Sequence, residues 1–106
     1  MSDVWSRITT AMNANPEPIQ DENVRYEFQL KDGEAKQLVL KHGEAYIEEA
    51  GAAQPNCTLK LSAKDLVKMI EGDLSASGAF MFGKLKVDGK MGYALKLESL
   101  LSEYTF

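Results

Sequence analysis

The chain has one histidine, His42, and one cysteine, Cys57, and these side chains are the ones best suited to metal or nucleophilic chemistry. A zinc site uses about four ligands, so this pair alone does not make a typical set. His42 precedes a glycine between two alternating segments, which is typical of a hairpin turn. Cys57 begins another alternating segment, where a small buried hydrophobe is expected. The sequence favours structural roles for both residues and leaves a Cys–His nucleophile pair as the weaker interpretation.

Residues 78–84, Gly-Ala-Phe-Met-Phe-Gly-Lys, match most of the phosphate-binding pattern G-x-x-x-x-G-K-[ST]. The pattern works because a loop of small residues points backbone N–H groups at phosphates while a hydroxyl holds magnesium. Here the loop is bulky, and Leu85 stands where the hydroxyl is required. Nucleotide binding is therefore disfavoured.

The acidic pairs Asp21-Glu22 and Glu48-Glu49 fall in a loop and at a strand end, where solvated surface is expected rather than acid–base catalysis.

Changes of hydrophobic period divide the chain into helices and strands. Apolar residues three and four apart predict a first helix within residues 1–14, capped by Ser2 or Asp3 and stopped by Pro16 and Pro18. From residue 24 the period is two, which indicates half-buried strands. Ser62 and the acid three residues later predict the start of a helix. Strands are expected at 24–30, 35–41, 44–49, 57–62 and 84–88, and later helices at 63–72, 75–82 and 91–104.

This order predicts an α+β fold: a single, antiparallel-rich, five-stranded sheet covered on one face by helices. The length of 106 residues, with 44% hydrophobic and 26% charged residues, predicts one domain over 1–106.

The net charge of −4, without an overriding Lys/Arg cluster, disfavours nucleic acid or an anionic membrane as the main partner. Neither a signal peptide nor a transmembrane segment is recognisable, so a cytoplasmic location is expected.

Two segments carry more apolar side chains than one core face can bury. Phe80, Met81 and Phe82 are consecutive, so neither a helix nor a strand turns all three to one side. On the last helix, Met91 and Leu95 fall outside an apolar stripe about 120° wide. That stripe comprises Tyr93, Ala94, Leu97, Leu100, Leu101 and Tyr104. An internal pocket would accommodate the excess, and a tightly packed core or a dimer interface would do so equally well.

A series of short motifs follows in order: Asn-Cys-Thr-Leu-Lys-Leu at 56–61, Asp65-Leu66, Met-Ile-Glu-Gly at 69–72, and Gly-Lys-Leu-Lys-Val-Asp-Gly-Lys-Met-Gly at 83–92. In this respect the chain resembles the sterol carrier protein type 2 domain. The resemblance is strongest over residues 56–100 and hardly includes the N-terminal helix. It implies a five-stranded sheet and helices that enclose an apolar tunnel, with no cofactor and no catalytic step.

The resemblance thus implies a non-catalytic intracellular lipid-binding or lipid-transfer protein whose ligand is a fatty acid, a fatty acyl-CoA, a sterol or a similar lipid. We expect a monomer or homodimer with at most transient membrane contact, no nucleic-acid partner and no metal. The alternative is a structural or dimerisation module of the same fold with a filled tunnel. The candidate tunnel residues are Phe28, Leu38, Ile70, Phe80, Phe82, Leu85, Met91 and Leu95.

Two features depart from the family pattern. Phe82 stands where lipid-transfer members often have a glutamine, so a drier and less selective tunnel is expected. The chain ends in Tyr104-Thr105-Phe106, unlike the small-basic-Leu tripeptide of peroxisomal members, so peroxisomal targeting is not carried over.

Overall fold

The computed structural model describes residues 4–106, and the caps predicted at Ser2 and Asp3 lie outside that range. Helix α1 spans Val4–Ala14 and buries one face against the core. A short 3-10 turn follows at Glu17–Ile19. The prolines predicted to stop α1 flank the start of this turn, because proline is tolerated there and not inside a helix. The buried residues of α1 are Trp5, Ile8 and Met12.

The five strands form one sheet in the order β3-β2-β1-β4-β5. Their bounds are β1 Asn23–Leu30, β2 Ala35–Lys41, β3 Glu44–Glu49, β4 Cys57–Leu61 and β5 Lys86–Gly89. The predicted meander of β1, β2 and β3 is confirmed, and His42 and Gly43 in its second turn have φ of 56° and 75°, as a two-residue hairpin turn of this kind requires.

The sheet is mixed, because β4 pairs with β1 in parallel while every other pair is antiparallel. The β2–β3 hairpin occupies one side of β1. The chain must therefore cross from β3, at the edge, to the free side of β1. Connection 50–56 makes this crossing and brings Cys57 opposite Tyr26 in the centre of the sheet.

Three further helices follow the fourth strand: α2 at Ala63–Ile70, α3 at Ala76–Met81 and α4 at Met91–Leu101. Serine side chains cap α2 and α3. Ser62 Oγ accepts the N–H of Asp65 at 3.0 Å, and Ser75 Oγ accepts the N–H of Gly78 at 3.0 Å. The start predicted for α2 is therefore confirmed, and the bonds satisfy N–H groups that have no partner within the helix.

The inner face of the sheet and the helices share one hydrophobic core. Tyr26, at the centre of β1, is fully buried, and its hydroxyl donates to the backbone carbonyl of Tyr93 in α4 at 2.8 Å. Burial raises the pKa of the Tyr26 phenol, because the charged form would lose its water. A polar tip on an otherwise apolar ring thus attaches α4 to the central strand.

The outer face of the sheet carries a polar network centred on Glu27. The carboxylate accepts from Gln29 Nε2 at 2.7 Å, from Gln37 Nε2 at 2.8 Å and from the Gly51 N–H at 3.1 Å. Gln37 is fully buried and also donates to the carbonyl of Ala53 at 2.9 Å. The network therefore attaches crossing connection 50–56 to the middle of the sheet.

Replacing Tyr26 by Phe tests the attachment of α4. Tyr26→Phe is expected to lower the free energy of unfolding by about 0.5–1.5 kcal/mol, because the hydrogen bond from Tyr26 to the Tyr93 carbonyl is lost. Tyr93→Phe is the matched control: it also removes one phenolic hydroxyl, but the accepting atom is a backbone oxygen and remains in place. Urea unfolding at pH 7 measures both. Equal stability of Tyr26→Phe and the wild type would contradict the assignment.

Replacing Glu27 by Gln tests the outer network through its pH dependence. The hydrogen bonds from Gln29 and Gln37, with that from Gly51, lower the pKa of Glu27 below its ordinary value of 4.5, although burial opposes them. Because the folded pKa is the lower one, the stabilisation is present above pH 4.5 and is lost as the pH falls through the folded pKa.

Glu27→Gln is therefore expected to be less stable than the wild type at pH 7, by about 1–3 kcal/mol, and the difference should shrink below pH ~4. Glu34→Gln, which changes an exposed carboxylate in the β1–β2 turn, is the control. Denaturant unfolding between pH 3 and 7 provides the comparison, and a stability difference that stays constant over this range would contradict the role of Glu27.

Candidate functional site

The eight predicted tunnel residues separate into an inner and an outer group. The inner group is at most 3% exposed and belongs to the hydrophobic core beneath the helices. Phe28 and Leu38 project from the central strands, and Trp5 of α1 packs against the Phe28 ring at a centroid distance of 5.6 Å. The inner group comprises Phe28, Leu38, Ile70 and Leu85.

The outer group lies at or near the surface of α3 and α4. Phe82 is 80% exposed, and Phe80 and Leu95 are 47% and 46% exposed. Met91 is partly buried and packs against the core. None of the clefts described below within residues 4–106 brings these eight residues together. Met81 and Phe82 project into solvent and not into the core, and the assignment of the eight residues to a ligand site stays a prediction.

Helix α3 turns outward because its inner side consists of small residues. Ala76 and Ala79 are its buried positions, and the Ala76 N–H donates to Glu98 Oε1 of α4 at 2.8 Å. The chain then reverses at Gly83, whose φ is +74°. The N–H groups of Lys84 and Leu85 both donate to the Ala79 carbonyl, at 2.8 and 3.1 Å. This reversal inserts Leu85 into the core and leaves the aromatic end of α3 in solvent.

A surface cleft of about 660 Å³ lies between the C-terminal ends of α2 and α4. Ile70 is the one predicted tunnel residue among those that line it. Tyr104 and Phe106 also line the cleft, and their rings pack together with centroids 5.8 Å apart. The sequence predicts that α4 continues to residue 104, but the helix ends at Leu101. The residues after Leu101 instead form one wall of this cleft, which the sequence analysis did not predict.

A smaller cleft, of about 250 Å³, lies at the start of α4 and is lined by Lys90, Gly92, Tyr93 and Lys96. Lys96 is engaged with Glu22 at 2.9 Å. The sequence assigns Tyr93 to the core stripe of this helix, and its partly buried side chain packs against the core.

The residues best suited to catalysis lie in surroundings that disfavour it. Burial raises the pKa of the Cys57 thiol, and nearby Asp88 raises it further, so the nucleophilic thiolate is disfavoured. His42 is in the β2–β3 turn, two strands away from Cys57 and four residues further along. These spacings separate the two backbones by roughly 16 Å, beyond the reach of a Cys–His pair.

The segment that resembles a phosphate loop is helical. The N–H groups of Phe82 and Gly83 donate to the carbonyls of Gly78 and Phe80, so they do not point at a ligand.

Residues 4–106 bring together no group of three His, Cys, Asp or Glu side chains able to hold a metal ion. Among the helices described, none combines the length and the apolar character needed to cross a bilayer.

Comparison with known proteins identifies the family. A model of the SCP-2 sterol transfer family matches residues 7–102. Peroxisomal multifunctional enzyme A of Dictyostelium discoideum is 36% identical over 105 residues, which cover 91% of this chain and 24% of that protein. Sterol carrier protein 2 of Rattus norvegicus is 35% identical over 80 residues, covering 71% of this chain and 15% of that protein.

A solved structure is similar over nearly the whole chain. The sterol carrier protein domain 2 of Helicoverpa armigera superposes with a TM-score of 0.79 at 28% identity, covering 94% of this chain and 84% of that one. The chain spans between 15% and 24% of the two curated relatives named above. With the family match over residues 7–102 and the shared α+β fold, the chain belongs to the SCP-2 sterol transfer family.

Proposed function

We propose that this chain is a non-catalytic lipid-binding and lipid-transfer domain that holds a fatty acid, a fatty acyl-CoA, a sterol or a similarly apolar lipid. The ligand would lie between the sheet and helices α3 and α4. The family to which the chain belongs binds apolar lipids, which supports the general class of ligand. The finer assignment depends on how α3 is attached to the core.

The observation that carries the proposal is the weak attachment of α3. Two alanine side chains form its buried face, while Phe80, Met81 and Phe82 are exposed. Burying a methyl-sized group contributes about 0.8 kcal/mol, so the alanines hold the helix with about 1.6 kcal/mol of apolar burial. The N–H of Ala76, now bonded to Glu98, would bond to water after the helix moves.

A lipid tail supplies far more free energy than this displacement costs. An acyl chain of about fourteen methylenes contributes about 11 kcal/mol of gross burial at ~0.8 kcal/mol each. Association itself costs on the order of 4–15 kcal/mol. At the low end of that cost about 7 kcal/mol remains, which corresponds to a Kd of roughly 10 μM from the tail alone. Selection of the head group is expected to be weak because Phe82 offers no hydrogen bond.

In this proposal the inner residues form the floor of the ligand site and the outer residues form its movable wall. A shift of α3 would uncover Leu85, which the chain inserts into the core directly after this helix. The ligand would then contact the apolar side chains that α3 and α4 carry next to this opening. The proposed contacts are Phe28, Leu38, Ile70 and Leu85 from the core, with Phe80, Phe82, Met91 and Leu95 from the helices.

The surroundings of Cys57 and His42 support the non-catalytic part of the proposal. The thiol is buried with a raised pKa, and His42 belongs to a turn roughly 16 Å away. The relatives named above are longer proteins, and one carries the word enzyme in its name. We assign to this chain only a binding role, and we propose that it acts as a monomer or homodimer with at most transient membrane contact.

The complete burial of Phe28, Leu38 and Leu85 favours a second candidate function. A domain whose interior is permanently filled would serve as a structural or dimerisation module. The two functions differ in whether the packed interior yields to a lipid, so ligand binding decides between them.

Delipidated protein is expected to bind a fluorescent fatty acid saturably, and unlabelled palmitate should displace it. A ligand at about 100 times its Kd stabilises the folded state by about 2.7 kcal/mol, which raises Tm by roughly 10–20 °C for a domain of this size. Fluorescence displacement and thermal unfolding measure the two effects. An unchanged Tm together with no saturable displacement would establish the filled module instead.

Leu95→Trp tests the movable wall. Leu95 is 46% exposed, so the fold should tolerate the larger ring, but overfilling the ligand site is expected to lower fatty-acid affinity by about fivefold or more. Met81→Trp is the matched control, because Met81 is 81% exposed and is not among the proposed contacts. Equal affinity in the two variants would remove Leu95 from the site.

A further inference from the structure

The outer edge of β3 is bound by one side chain of α1. Within residues 4–106, β3 is the last strand on its side of the sheet and pairs with β2 alone. The Nδ2 amide of Asn13 donates to the Ala45 carbonyl at 2.8 Å, and the Ala45 N–H donates to Asn13 Oδ1 at 2.8 Å. The side-chain amide of Asn13 therefore makes the same two hydrogen bonds that a residue of a further strand would make.

The two bonds to Ala45 also show which backbone groups of β3 point outward. In an antiparallel pair, successive residues direct their N–H and C=O alternately toward the partner strand and away from it. Ala45 faces away from β2, so Ile47 and Glu49 do as well. The Glu49 carbonyl accepts the Ala52 N–H at 3.1 Å in the turn that follows. Between these two contacts, Ile47 keeps both its outward N–H and its outward C=O open within residues 4–106.

A cleft gives access to this edge. It has a volume of about 370 Å³ and lies between α1 and β3. Ser6, Thr9 and Asn13, spaced three and four residues apart on α1, line one side, and Ala45 and Ile47 line the other. Asn13 crosses the cleft near the end of α1 to reach β3. The edge is therefore closed at Ala45 by a single side chain and not by the body of the helix.

We propose that Asn13 is a block that prevents the β3 edge from pairing with the β3 edge of a second copy of this chain. With Asn13 in place, an incoming strand finds Ile47 alone fully open, and one residue is too short a strand to hold. Without the block, Ala45 and Ile47 become available together. Exposed strand edges of this kind are a common site of association between sheets. This inference is independent of the proposed function, because it concerns the sheet edge and not a lipid.

The side chains of β3 are compatible with antiparallel pairing of two copies once the block is removed. Ala45 of each copy would pair with Ile47 of the other, which places the two Tyr46 side chains directly opposite each other. Tyr46 is 38% exposed, and a cross-strand aromatic pair stabilises a sheet. Glu44 would face Glu48 of the second copy, whose carboxylate already has an ion-pair partner. The contact is therefore centred on Tyr46.

Sedimentation equilibrium of the full chain tests the block. We expect Asn13→Ala to self-associate at least about tenfold more strongly than the wild type, because an outward donor and acceptor are released next to Ile47. Asn15→Ala is the matched control: Asn15 is an exposed asparagine directly after the last residue of α1, and its loss should leave self-association unchanged. Equal self-association of Asn13→Ala and the wild type would overturn the proposal.

Added lysines locate the contact between the two copies. In the Asn13→Ala background, Tyr46→Lys places two lysines directly opposite each other, so we expect it to return self-association to the wild-type value. Met81→Lys in the same background is the control, because Met81 is 81% exposed and lies on α3. Double variants that associate to the same extent would show that β3 is not the contact, and the proposal would be wrong.

Hydrogen exchange of the folded wild type tests the block without any substitution. The Ala45 amide, which is bonded to Asn13, should exchange at least about tenfold more slowly than the outward Ile47 amide after correction for intrinsic rates. This measurement does not depend on the folding of Asn13→Ala. An Ile47 amide as strongly protected as that of Ala45 would mean that the edge is closed along its whole length, which would refute the role of Asn13.

Discussion

Strand β1 is the element on which both faces of the sheet depend, because it pairs with β2 on one side and with β4 on the other. On its inward side, Tyr26 holds α4 through a hydrogen bond, and Phe28 holds α1 through a ring contact. Its outward residue Glu27 holds the crossing connection through Gly51. A shift of β1 by one residue would exchange these environments, placing a carboxylate in the core and a phenylalanine beneath connection 50–56.

The attachment of the helices to this sheet is uneven. Helix α1 buries a tryptophan, an isoleucine and a methionine, whereas α3 buries only alanines. Because α3 buries less apolar surface than α1, its local unfolding costs less free energy. We therefore expect α3 to open more readily than α1. The helix with the smallest buried contacts also carries Met81, one of the two most exposed apolar side chains, and Phe82 follows it directly.

Local patterns were sufficient to predict the strands of the meander, the hairpin turn at His42 and the cap at Ser62, because each depends on neighbours in sequence. The parallel pairing of β1 with β4 was missed. The sequence of residues 50–56 does not indicate whether the next strand pairs with β1 or with β3, the two edges of the meander. The excess of apolar residues at 80–82 was recognised, but the sequence left open the direction in which these side chains point. That direction depends on Ala76 and Ala79 facing inward and on Leu85 occupying the space below, which are relations of packing and not of spacing. The clustering of Glu27, Gln29 and Gln37 was also missed, although polar residues in the middle of neighbouring strands are a signal that they share a face.

A dry, empty interior would be costly for a domain of this size. An empty apolar cavity destabilises a protein by about 24 cal/mol per Å³, so a dry tunnel of about 400 Å³ would cost on the order of 10 kcal/mol. That is comparable with the entire stability of an ordinary domain, which is about 5–15 kcal/mol. Leu85 is buried in the core directly after α3. Any ligand that enters a packed interior displaces side chains, and the displacement costs least where the inner contacts are smallest. In this protein those contacts are Ala76 and Ala79, so the proposed function depends on the displacement of α3.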